Sequence, residues 1–263
     1  TDMDALEIQE ETDLPYASKI PNRMHACGHD GHSACMCGVV KTLAKHRDRI
    51  KGTVKFVFQP GEEEAAGGRY IVQAGVLDGV DAAFALHGWP TLPVGHIGIK
   101  SGAMLAGAGV FKIVVHGKGC HAADPGAGID PIVVGAQITS MLQTIVSRET
   151  NPWDAGVVSV AKFHAGTATN IIPETAILEG TYRSLNDAQH QRIEESIRRI
   201  AHSVGEGMRA RVDVHISENR YPVLFNDSKM TDLVIETGAR LFGEGNVTQF
   251  AVPYMGAEDF AYY

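Results

Sequence analysis

The sequence predicts an α/β protein interrupted by a self-contained α+β domain. Three observations carry this reading. A strand–helix–strand pattern with short loops runs over 53–86, which is the signature of a βαβ unit. A β-α-β-β-α-β order fills 109–217, the split βαβ arrangement of ferredoxin-like domains. After about Arg220 the α/β pattern resumes. The expected organisation is therefore one domain made of 1–108 and 218–263, with a second inserted at 109–217.

Each element has its own signal. Gly31–Arg47 reads as a helix whose last turn carries Lys41, Lys45 and Arg47, where cations suit the helix dipole. The apolar run 53–59 reads as a buried strand, 66–76 as a helix, and 81–86 as a strand parallel to the first. Val110–His116 opens the inserted domain. Asp130-Pro131 then supplies an N-cap and a first-turn proline for a helix ending near Ser147, with Val133, Ala136, Met141 and Ile145 as its expected apolar side. Val157–Phe163 and Thr175–Tyr182 read as strands. Asn186 or Asp187 caps a helix in which Ile193, Ile197, Ile200 and Val204 recur at helical spacing. Val212–Ile216 is the inserted domain's last strand, followed by a helix over 228–242 and a strand near 247–252.

Composition narrows the function. The 263 residues carry 23 Lys+Arg against 31 Asp+Glu, a net charge of −8. An acidic chain without a basic run is a poor nucleic-acid binder. No apolar run approaches the roughly 20 residues of a membrane helix. The four cysteines, Cys27, Cys35, Cys37 and Cys120, do not make a disulfide scaffold, and a reducing, cytoplasmic setting is expected. Three of the twelve histidines, His25, His29 and His32, lie within one short segment.

Four motifs carry chemistry. His25-Ala-Cys27-Gly-His29-Asp-Gly-His32 precedes a helix. Gln59-Pro-Gly-Glu62-Glu63-Glu64 and Leu86-His87-Gly-Trp89 each follow an expected strand. Gly117-Lys-Gly-Cys-His121 ends a strand of the inserted domain. Singly, three of them have an ordinary structural reading: a solvated acidic turn for Glu62–Glu64, a strand-end histidine for His87, a turn residue for His121; the Cys27–His29 segment is harder to dismiss, because Cys and His two apart are a natural metal pair. Together they converge, because ligands of an open parallel sheet bind beyond the strands' carboxyl ends. Thiolate, imidazole and carboxylate at one edge point to one or two divalent transition metals, with Zn²⁺ or another borderline ion, or Mn²⁺, suited to the donors. Of two adjacent glutamates, one can ligate while the other takes a proton from water; spacing alone does not say which.

These motifs, with Asp2-Met-Asp4-Ala-Leu, Asn170-Ile-Ile-Pro, Gly180-Thr-Tyr-Arg183 and Gly256-Ala-Glu-Asp-Phe, resemble those of the metal-dependent amidohydrolases related to aminoacylase and carboxypeptidase G. Within that family they look like the branch of hippurate hydrolase, N-acetyldiaminopimelate deacetylase and the auxin-conjugate hydrolases. The resemblance implies a zinc-peptidase-like catalytic domain with an inserted lid that mediates homodimer contacts. It implies hydrolysis of small-molecule N-acyl amino acids or peptide-like amides, using Mn, Zn, Co or Ni. By motif, Cys27, His29, Glu63 and His87 would be metal ligands and Glu62 the general base. His121 would stabilise the tetrahedral intermediate, Asn170 and Arg183 would hold the substrate carboxylate or oxyanion, and Asp4 would orient a ligand. The family also carries a further ligand histidine beyond the Glu-Asp-Phe motif, and this chain ends at Tyr263 before reaching it. Two rival readings are a thiol hydrolase with Cys27 as nucleophile and a non-catalytic metal- or ligand-binding module.

Overall fold

The computed structural model describes residues 1–263. In chain order the elements are α1 (His29–Lys45), α2 (Glu62–Ala65), α3 (Gly67–Gln73), β1 (Ile97–Ile99), β2 (Gly102–Leu105), β3 (Gly107–His116), β4 (Cys120–His121), α4 (Pro131–Thr144), β5 (Gly156–Ala165), β6 (Ile171–Ile172), β7 (Thr175–Ser184), α5 (Asp187–Gly207), β8 (Arg211–Ile216), β9 (Leu224–Asn226), α6 (Ser228–Phe242) and β10 (Val247–Gln249). They fall into two units. The first comprises Thr1–Ser101, Asn226–Phe250 and Glu258–Tyr263; the second comprises Gly102–Phe225 and Ala251–Ala257.

The second unit is built on an antiparallel sheet of order β5-β7-β3-β8. Period-two alternation sends Phe111, Ile113 and Val115 of β3 and Ala176, Leu178 and Tyr182 of β7 into one core. Helices α4 and α5 cover that face with Val134, Ile138, Leu142, Ile193, Ile197 and Ile200. Fully burying side chains of this kind contributes about 1.5–3 kcal/mol each. Asp130 caps α4 by accepting from the backbone of Ile132 and Val133, and Asn186 caps α5 by accepting from Gln189 N. The Tyr182 ring lies against the β3 backbone at Gly109, where a Cβ would sit 2.1 Å from Cζ. Only glycine fits that crossing.

The buried face of α4 differs from the expected one. Val134, Ile138, Leu142 and Ile145 point inward, whereas Val133, Ala136 and Met141 are exposed. Helix α4 is apolar on most of its circumference, so its periodicity does not select a side; the sheet beneath it does.

In the first unit, α1 starts from Gly28, whose φ of +92° is a left-handed conformation that favours glycine. This helix start places His29 and His32, three residues apart, on the buried side of the first turn. Strands β1 and β10 pair in parallel, Ile97 opposite Val247. The expected strands at 53–59 and 81–86 do not form, and neither does their parallel pairing. An apolar run marks a segment that favours burial, but a strand also needs a ladder partner. Here Gln59 bridges only to Asp2, and the Thr1 ammonium bonds to Val57 O at 2.8 Å. Phe84 and Leu86 accordingly remain 53% and 60% exposed. The buried residues of this unit are mostly polar, namely His29, His32, Gln59, Glu62, Thr231 and Asp259. All four cysteines are free, and no helix is long and apolar enough to cross a membrane.

Candidate metal centre

The start of α1, the α2 turn and the Leu86-His87-Gly88 segment bring their polar side chains to one place. The ligand atoms of Cys27, His29 and His87 lie within 4.8 Å of one another, and so do those of His29, Glu62 and Glu63. Cys27 Sγ is 3.4 Å from His87 Nε2. His29 Nε2 is 3.9 Å from Glu63 Oε1 and 3.4 Å from an Asp2 carboxylate oxygen.

Hydrogen bonds fix which nitrogen of each imidazole faces the cluster. His29 Nδ1 meets Asp4 O at 3.0 Å and Asp4 Oδ1 at 3.1 Å, both acceptors, so Nδ1 carries the proton and Nε2 presents a lone pair. The other Asp4 oxygen accepts from Glu63 N at 2.9 Å. Asp4 thus touches one histidine and the backbone of one glutamate. His87 Nδ1 donates to Gly88 O at 2.7 Å, which leaves Nε2 as a lone pair toward Cys27. His32 is different, because both its nitrogens are engaged. Nδ1 donates to Asp2 Oδ1 at 2.8 Å, and Nε2 accepts from Gly88 N at 2.7 Å.

A cation fits what remains. His29 Nε2 and Glu63 Oε1 are buried with no hydrogen-bond partner. Lone pair faces carboxylate there with no donor between them, an arrangement costly in a protein interior unless a positive charge joins them. The acidities agree. Burial, then the charges of Glu63 and Glu62, pushes the Cys27 thiol up to about 12. Burial, then Glu258, Asp259 and Glu63, pushes Glu62 up to about 9. Burial also raises Glu63. Each of these groups resists ionisation alone, and a divalent ion opposes every one of those effects.

A second carboxylate group adjoins the first. The ligand oxygens of Glu62, Glu258 and Asp259 lie within 4.8 Å of one another. Asp259, fully buried, accepts from Gln59 Nε2 at 2.7 and 2.8 Å and from Gly68 N at 2.7 Å. Its own N–H reaches Glu62 Oε1 at 3.4 Å. Burial raises Glu258 to about 7 and raises Asp259 as well. Asp2 moves the other way, because the His32 hydrogen bond and charge outweigh burial.

The remaining expected site residues belong to the second unit. His121 and Asn170 are brought together there. The two-residue strands β4 and β6 pair His121 with Ile171, and Ala122 N donates to Asn170 O at 2.9 Å. Both side chains are exposed. Arg183, on β7, donates to Thr181 Oγ1 and to Tyr182 O, and burial lowers its pKa. Residues around the centre that sequence reasoning did not assign are Asp2, His32, Gln59, Glu258 and Asp259. All five lie within motifs quoted above, but only the fold shows their partners.

The first unit thus holds a Cys, His and Glu cluster of the donor types used by metal-dependent hydrolases, and the second is a split βαβ domain. The chain belongs to peptidase family M20/M25/M40, whose profile matches residues 1–263. It is 44% identical over 262 residues to the N-acetylcysteine deacetylase of Bacillus subtilis (strain 168), covering all of this chain and 68% of that protein. It is 38% identical over 265 residues to the IAA-amino acid hydrolase ILR1-like 4 of Arabidopsis thaliana, covering 100% of this chain and 60% of that one. Among solved structures it superposes on the Bacillus subtilis YXEP protein, a dinuclear metal-binding peptidase of the M20 family. The TM-score is 0.79 at 42% identity, over 99% of this chain and 66% of that one. The chain thus spans about 60 to 68% of the length of these relatives.

Proposed function

We propose that this chain carries the catalytic centre of a metal-dependent amidohydrolase that cleaves N-acyl amino acids, the substrate class named for its deacetylase and conjugate-hydrolase relatives. The observation that carries the reading is the pair of buried, unpartnered atoms His29 Nε2 and Glu63 Oε1, beside Cys27 and His87. In this reading Cys27, His29, Glu63 and His87 hold one or two divalent ions, Mn, Zn, Co or Ni. Such an ion supplies Lewis acidity for the amide carbonyl and lowers the pKa of water.

The chain's own residues do the rest. Glu62 takes the proton of the attacking water and returns it to the leaving amine as the C–N bond breaks, giving a carboxylic acid and a free amino acid. Asp4 holds the His29 tautomer. His121 stabilises the tetrahedral oxygen, and Asn170 and Arg183 bind the substrate carboxylate or the oxyanion. Residues 109–217 act as lid and homodimer module. The edge strand β5, paired on one side only, supports the second role. Four free thiols suit a reducing, cytoplasmic setting. The high thiol pKa of Cys27 speaks against a metal-free thiol mechanism, which needs the thiolate. The test is chelation of the full-length protein. Hydrolysis of N-acyl amino acids is lost and returns with Mn²⁺ or Zn²⁺; full activity in excess chelator refutes the reading.

A further inference from the structure

His87 is the one exposed member of the Cys27–His29–His87 group, so packing alone does not hold its ring. Its Nδ1 bonds to the carbonyl of the next residue, Gly88, at 2.7 Å. The amide N–H of that same glycine donates to His32 Nε2 at 2.7 Å, and His32 is anchored through Nδ1 to Asp2 at 2.8 Å. His32 is only 4% exposed, and its ring centroid lies 4.7 Å from that of His87 and 5.5 Å from that of His29. Because Gly88 N–H can only donate, His32 Nε2 must be the unprotonated nitrogen. We infer that His32 is a positioning residue: through the Gly88 peptide it fixes the ring direction of His87, and Asp2 fixes His32 in the tautomer that does so.

The inference rests on the proposed metal centre, in which His87 is a ligand. Outer partners of metal-binding histidines set ligand orientation, and their loss costs about 10–100-fold in metal affinity. Two substitutions separate the two bonds of His32. Glutamine places an acceptor near the Nε2 position and keeps the Gly88 bond. Asparagine places its amide near Nδ1 and keeps only the Asp2 bond.

The experiment measures Zn²⁺ affinity of the full-length protein by competition with a chromophoric chelator. The expected result is His32→Gln within about threefold of the native protein, and His32→Asn and His32→Ala weaker by about 10–100-fold. In a His87→Ala background, His32→Asn then causes no further loss, because a residue acting through His87 has nothing left to orient. Equal weakening by Gln and Asn, or losses that add to that of His87→Ala, overturns the inference. So does a nitrogen-15 spectrum of the unsubstituted protein that places the His32 proton on Nε2, which needs no variant to fold. A native protein that takes up no divalent ion refutes the proposed function instead.

Discussion

Replacing the two adjacent glutamates one at a time separates proton transfer from metal binding. Glu62→Gln is isosteric, and its amide oxygen can still accept from Asp259 N, now at 3.4 Å. Without a bound cation, burial and three neighbouring carboxylates push this carboxyl group up to about 9, so the neutral amide adds no cost of buried charge to folding. What goes is the proton acceptor. Loss of a general base costs about 10²–10⁴-fold in turnover, or roughly 3–5 kcal/mol in barrier. Glu63→Gln keeps its backbone N–H on Asp4 at 2.9 Å but takes the charge from the oxygen that faces His29 Nε2 at 3.9 Å. Metal affinity should then fall by more than the roughly 10–100-fold typical of an outer partner. The assay is metal content per chain, with kcat and KM for an N-acyl amino acid at saturating Mn²⁺ or Zn²⁺. Glu62→Gln is expected to keep metal and KM while losing kcat, and Glu63→Gln to lose metal. The opposite pattern shows that the two carboxylates have been assigned in reverse.

Other expectations rest on single contacts. Cys27→Ala should lower both metal occupancy and rate, and full occupancy with unchanged turnover removes the thiol from the ligand set. Asp259→Asn replaces an acceptor of three short bonds by a group that faces Gln59 with an N–H; it should destabilise the protein by about 2–3 kcal/mol in urea unfolding, and an unchanged midpoint refutes a stabilising role for these bonds. In the second unit, burial depresses the His190 pKa while its Nδ1 meets Ser184 Oγ at 2.9 Å. The unfolded chain therefore binds a proton below about 6.5 that the folded one refuses. Stability should fall as pH drops from 7.5 to 5.5, and His190→Asn should flatten that limb in urea melts; an identical slope in the variant assigns the acid sensitivity elsewhere.

The second unit was the more legible part of the sequence. Its strands alternate, its helices carry recognisable caps at Asp130 and Asn186, and its core forms from those local patterns. The misread face of α4 shows the limit, since Val133 and Val134 are chemically alike and only the sheet distinguishes them. In the first unit, apolar runs at 53–59 and 81–86 were visible, but the neighbours that make a strand were not. The donor types at Cys27, His29, Glu62, Glu63 and His87 could be read from the motifs. The supporting shell could not. Asp2 and His32 meet across 30 residues, and His32 and Gly88 across 56. No local pattern encodes such a pairing.

The bond between Gln59 and Asp259 joins residues 200 apart. At a synthesis rate of about 5–20 residues per second, roughly 10–40 seconds separate their emergence from the ribosome. Throughout that interval Glu62 and Glu63 are already made, while Glu258 and Asp259 do not yet exist. The segment Gly102–Phe225, with a core largely its own, emerges and can fold in between. An ion that arrives early therefore meets an unfinished carboxylate set. The proposed ligands Cys27, His29, Glu63 and His87 are all made within the first 87 residues, so what synthesis delivers last is not the ligand set but the carboxylate surround of Glu62.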